Sequence, residues 1–187
     1  MSNPTSSVAR PGPVLHGLFP LVWEPCPDEP GEHARRAVDE ANITTLRNCL
    51  LLDSRAHDAL EDREQVTPEI QRLEQRMNLV IDLLAHVLSR ELQLPTPVSC
   101  EVSRDAVVWT GESLPAAGER VKLSLYLNPQ YPRPLILYGK IDSPETRADG
   151  QFVRLVLSEL PELVAEGLDR LIFRDHRRRV AQTKRGK

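Results

Sequence analysis

The chain has 187 residues, 40% hydrophobic and 27% charged, with a net charge of −3. That length suits one domain, or one domain with a helical insertion, able to bury a core without disulfides or metals. No apolar run nears the roughly 18 residues of a membrane helix, and the start lacks a charged-then-apolar secretion signal.

The charge is unevenly spread. Residues 170–187 hold eight Lys/Arg and one Asp, about +7, which leaves −10 for the rest. A uniformly basic nucleic-acid binder has no such split, whereas a local cationic site on an acidic body fits a small anionic ligand or a protein partner. Cys26, Cys49 and Cys100 are an odd, widely spaced set without CxxC. Reduced thiols in a cytoplasmic protein are expected from them, and no metal site.

In chain order, residues 1–17 are rich in Ser, Pro and Gly and predict a flexible arm. The apolar run from Leu18 to Trp23 predicts a first strand, placed at a sheet edge by Pro20. From Glu32 to about Arg63 the pattern is helical, with Val38, Ile43, Leu46, Cys49 and Leu50 on its apolar face. Thr67 then caps a second helix that has Pro68 at its first position. Ile70, Leu73, Met77, Val80, Leu84 and Val87 step along it by 3, 4, 3, 4, 3, the spacing of a heptad seam. The pattern suits either an ordinary core-facing helix or a coiled-coil contact between subunits. Strands follow: Val98 to Val102, Val107 to Trp109, Val121 to Leu127, Leu135 to Ile141 and Phe152 to Leu157, with Gly and Pro in the turns. A last helix begins around Ser158 to Pro161. An antiparallel barrel with a closing helix is the natural packing.

Catalytic patterns are missing from this sequence. His16, His33, His57, His86 and His176 include no i, i+4 pair for zinc, and there is no P-loop, GxGxxG or GxSxG. Asp53 and His57 at i, i+4 read as a solvated surface pair. Trp23 and Trp109 fit the core, or a stacking surface for a base. Arg174, His176, Arg177, Arg178 and Arg179 crowd the end of the last helix. The helix dipole accounts for part of that clustering. Phosphate capture by forked guanidiniums is the functional reading.

The first strand, the helical insertion, Leu125-Tyr-Leu-Asn-Pro129 with Pro134-Leu-Ile-Leu-Tyr-Gly139, and Phe173-Arg-Asp-His-Arg-Arg178 together resemble the atypical branch of the PilZ family over residues 18–182. The resemblance implies an α+β fold: a small antiparallel β-barrel with a heptad-patterned two-helix insertion (32–93) and a C-terminal closing helix. Strands and closing helix would fill 97–182, with a basic tail at 183–187. It also implies a receptor for cyclic di-GMP. The family's [D/N]xSxxG motif aligns with Glu101 to Ala106: Ser103 matches, Glu101 keeps the charge, and Ala106 replaces the glycine. Its RxxxR motif belongs ahead of the first strand, where only Arg10 and His16 stand. Arg72 to Arg76 spells RxxxR inside the heptad helix, after the first strand and among Glu69 and Glu74, where surface pairing is expected.

The expectation is therefore a non-enzymatic, cytoplasmic receptor with no cofactor, whose ligand is cyclic di-GMP. The residues expected to bind it are Arg10, Glu101, Ser103, Arg174, Arg177, Arg178 and Arg179. The expected partners are further copies of the chain, joined through the 69–91 helix, and a downstream protein; nucleic acid and a membrane span are not expected. The alternative is a PilZ-like oligomeric adaptor that no longer binds the nucleotide.

Overall fold

A computed structural model describes residues 12–28, 30–61, 67–92, 94–111, 113–128, 131–142, 144–147 and 150–185. Its elements run β1 (Leu15–Pro25), α1 (Glu32–Glu61), α2 (Pro68–Leu92), β2 (Pro97–Val102), β3 (Ala106–Thr110), β4 (Arg120–Leu125), β5 (Leu135–Ile141), β6 (Glu145–Arg147), β7 (Gly150–Leu157) and α3 (Glu162–Arg185). Six strands close an antiparallel barrel in the order β3-β2-β1-β4-β5-β7, with β7 pairing back onto β3. The unanticipated β6 hairpins onto β7 outside this ring. The fold class is the expected one: a barrel, a two-helix insertion and a closing helix.

Three boundaries shift. The first strand begins at Leu15, inside the arm expected to run to residue 17. The last helix starts at Glu162 and continues to Arg185, so most of the expected tail from 183 is helical. Residues 1–11, Arg10 among them, lie outside the described residues.

Pro20 does not mark an edge. Leu15–Pro20 pair with β2, and Leu21–Pro25 pair with β4, so β1 serves two neighbours in succession. Pro20 faces Pro97 at the changeover. Neither residue has an N–H to donate, so the ladder to β2 ends there and the strand turns the barrel corner. The Pro20 carbonyl accepts the Tyr126 N–H at 3.0 Å.

Alternation along the strands builds the core. Val121, Leu123 and Leu125 of β4 point inward beside Leu135 and Leu137 of β5, with Val102, Val107, Trp109 and Leu155 across the barrel. Val164, Leu168 and Ile172 of α3 seal it. Trp109 is 1% exposed and belongs wholly to this core. Trp23 is half-buried, its indole N–H donating to the Ser113 carbonyl at 3.2 Å. Burial pushes the Cys49 and Cys100 thiols up to about 11 and about 12, with the Asp53 and Glu101 carboxylates adding to the effect.

The two inserted helices behave differently. α1 packs on α3 and β5. Its Leu46 seats against Gly167, where an added Cβ would lie 3.1 Å from Leu46 Cδ1. β5 pairs with β7 only over Gly139–Ile141, which leaves the earlier part of that edge to α1. The buried Asn42 fills it: its amide nitrogen donates to the Ile136 carbonyl at 2.7 Å, and its amide oxygen accepts the Ile136 N–H at 2.8 Å. Asn42→Ala strands both backbone groups, so it is expected to cost about 1–3 kcal/mol. The urea midpoint should fall at an unchanged slope; an unshifted midpoint would show that water replaces the amide.

α2 follows the expected Thr67–Pro68 start but does not face the core. Ile70, Leu73, Met77, Val80, Leu84 and Val87 are 49–58% exposed, and Leu79 and Leu83 are exposed beside them. The core-facing alternative is thereby excluded.

Candidate functional site

The basic end of α3 is a helical surface, and helical geometry divides its arginines. Successive residues turn by about 100°, so Arg174 and Arg178 share one face, Asp175 and Arg179 share a second, and Arg177 points elsewhere. The contacts follow this division.

Arg174 and Arg178 face α1. Arg174 Nη1 donates to the Leu50 carbonyl at 2.6 Å and lies 3.7 Å from the Asp53 carboxylate. Arg178 forms an ion pair with the same carboxylate. Asp53 is thus an acceptor for two arginines far along the chain; the side chain of His57, the partner that the spacing suggested, lies outside the described residues.

Arg179 faces the barrel. Its guanidinium donates to the His16 carbonyl in β1 and lies 2.8 Å from Asp175 Oδ2, as an ion pair and not an aligned hydrogen bond. His16 pairs with Glu101 in the β1–β2 register, and its Nδ1 lies 3.8 Å from Glu101 Oε1. The approach to β1, the Glu101 segment and an α3 arginine therefore meet at one place.

Ser103 sits at the β2–β3 turn. Its backbone N–H donates to the Ala106 carbonyl at 2.9 Å, and its hydroxyl accepts the Ala106 N–H at 3.1 Å and lies 3.0 Å from that carbonyl. The hydroxyl closes the hairpin between β2 and β3. Arg104 fastens this turn to α3 through Asp169 at 2.5 Å. Arg177 and His176 are exposed, and Arg177 has no ion pair among the described residues. Arg72 and Arg76 are exposed on α2, which shows no extensive packing on the barrel among the described residues.

The structure thus gathers Glu101 and Arg179 around His16, sets Ser103 at the nearby turn, turns Arg174 and Arg178 toward α1, and leaves Arg177 to solvent. The acidic partners went unread. Asp175 could have been found from its i, i+4 spacing to Arg179; nothing in the sequence links Asp53 to Arg178, 125 residues away. A cavity of about 20 Å³ near the C-terminal end of β1 is lined by Cys26, Asp28, Arg120 and Tyr138 among others. It is far smaller than the roughly 300–1,000 Å³ of ordinary ligand pockets. No described helix is long and apolar enough to cross a membrane.

Comparison with known proteins places this arrangement. No curated protein matches the chain. One similar solved structure is described as a pathogenic protein from Xanthomonas campestris with a new tetrameric PilZ domain self-assembled via an unusual helical bundle. It shares 21% identity at a TM-score of 0.64, over 90% of this chain and 91% of that one, which establishes a common fold. The family model for the atypical PilZ domain, cyclic di-GMP receptor, matches residues 47–185. That span covers α1 from its middle, α2, every strand after β1 and the closing helix, and the chain belongs to the atypical PilZ domain family.

Proposed function

We propose that this protein is a non-enzymatic receptor that binds cyclic di-GMP where the C-terminal half of α3 meets β1 and β2, and relays binding to a protein partner as a homo-oligomer. The carrying observation is the convergence of Arg179 on His16 beside Glu101, at the strand that aligns with the family's ligand motif. Arg177, Arg178 and Arg174 extend the cationic surface along the helix, and Arg10 would add charge from the arm. Arginine forks suit the two phosphodiesters of such a ligand.

α2 supplies the joining surface in this reading. Its seam residues Ile70, Leu73, Met77, Val80, Leu84 and Val87 stand open to solvent, which a folded monomer rarely sustains over so large a contiguous patch. β-branched Val80 and Val87 at alternate core positions, with exposed Leu79 and Leu83 widening the stripe, favour more than two helices. The similarity to a tetramer built on a helical bundle supports the same assignment.

Calorimetric titration with cyclic di-GMP tests the receptor. The wild type should bind saturably, and Arg177→Glu with Arg179→Gln should weaken binding at least about tenfold, a loss of about 1.4 kcal/mol. Flat heats from folded wild type would favour the second reading, an oligomeric adaptor without the ligand. One observation supports that alternative: Arg174, Arg178 and Arg179 already have carboxylate partners in Asp53 and Asp175.

A further inference from the structure

We propose that Asp53 is an internal competitor for the ligand: its carboxylate occupies the Arg174–Arg178 pair, and an anion captured there must displace it and loosen α1 from α3. This inference rests on the receptor reading above.

Three features carry it. Arg174 and Arg178 lie one helical turn apart on α3, so both guanidiniums converge on the one carboxylate. Two positive charges against one negative leave the trio at +1, with Arg177 adding a further charge nearby; the group remains attractive to anions even when closed. Asp53 is only 22% exposed at its side chain, so its pairing is screened by salt less than a surface pair would be. A phosphodiester offers the same two-oxygen geometry to a guanidinium as the carboxylate does. Ligand and Asp53 then compete for the same donors.

The position of Asp53 gives the competition a mechanical consequence. The Arg174 contact to the Leu50 carbonyl and the double contact to Asp53 tie one turn of α1 to α3. Beyond them α1 runs to Glu61, and α2 with its exposed seam follows. Displacing Asp53 would release α1 from this clamp on the side that leads to α2. Linkage is reciprocal, so weakening the clamp must tighten ligand binding by the factor with which the ligand weakens the clamp.

The test is titration of the full chain with cyclic di-GMP in three forms: wild type, Asp53→Asn and Glu166→Gln. Asn keeps the shape of Asp and removes its charge. Glu166 is an exposed α3 carboxylate paired with Arg170, so its variant controls for the loss of one negative charge. Asp53→Asn should bind about tenfold tighter, within the usual range of coupling between sites, and Glu166→Gln should stay within about twofold of wild type. Added ligand should also speed amide exchange over residues 46–53 of the wild type. Equal affinities for wild type and Asp53→Asn, or weaker binding by Asp53→Asn, would overturn the competition and leave the receptor standing. Equal tightening by both variants would also overturn it, as an effect of net charge alone. Absence of binding in all three folded proteins would remove the receptor reading and this inference with it.

Discussion

Leu84→Asp should convert the assembled protein to monomers, read as a fall in solution mass by light scattering or sedimentation. Leu84 is 57% exposed in the single chain, so the substitution leaves the barrel and the α1–α3 contact untouched. In a helical bundle the same position faces its own copies, and each subunit would bring one carboxylate into the seam. A charge buried without a partner costs several kcal/mol, and the cost recurs in every subunit. A weakening of at least about a thousandfold in assembly, about 4 kcal/mol, is expected on that basis. Circular dichroism should stay at the wild-type signal. An unchanged mass for Leu84→Asp, or a wild type already monomeric at high concentration, would sink the assignment of α2 as the joining surface.

The second large effect is expected at Gly139, and it concerns the barrel itself. β5 and β7 approach so closely there that an added Cβ would stand 2.2 Å from the Val156 carbonyl oxygen and 2.8 Å from Leu155 Cδ1. The first of these is backbone and cannot swing aside. Gly139 pairs with Val121 on one side and Leu157 on the other, at the start of the three-residue ladder that joins β5 to β7. Gly139→Val must therefore push β7 away and break the ring at one of its two shortest seams. The expected loss exceeds about 4 kcal/mol, the range reserved for changes the backbone cannot absorb. The variant should be insoluble, or should lose its cooperative urea transition. A midpoint within about 1 kcal/mol of wild type would show that the β5–β7 seam can open without cost to the fold.

These two results probe opposite ends of the same design. Gly139 tests how the barrel closes on itself, and Leu84 tests what the insertion does once the barrel is closed. Asn42 links them, because its amide replaces the strand that β5 lacks and so fixes α1 to the ring.

Much of this was legible in the residues. The period-two alternation of Val121, Leu123 and Leu125 named a half-buried strand, and its register with Leu135–Leu137 follows from burying both inner faces. The 3–4 spacing from Ile70 to Val87 named a helix with one apolar stripe, and Thr67–Pro68 marked its start. Local periodicity and capping act over a few residues, so a sequence states them directly. The basic end of α3 was equally plain. The division of the arginines was also available, since helical spacing alone separates Arg177 from Arg179, although the run of basic residues draws attention away from it.

What the chain order did not state was which distant groups would meet. Pro20 alone argues for an edge, yet the closure of six strands makes it the corner where β1 changes partner. β6 has too little apolar pattern to be seen, and exists because β7 offers it a free edge. Whether the heptad stripe faced a core or the solvent depended on which helix α3 and β5 had room for; α1 took that place and α2 was left open. Asp53 meets Arg174 and Arg178 only because α1 and α3 pack side by side. The sequence determined the elements, their amphipathic faces and the charge at the helix end, because those depend on near neighbours. Tertiary structure decided the partners of each face and each charge, because a contact between residues 125 apart is set by the packing of the whole barrel and not by any pattern along the chain.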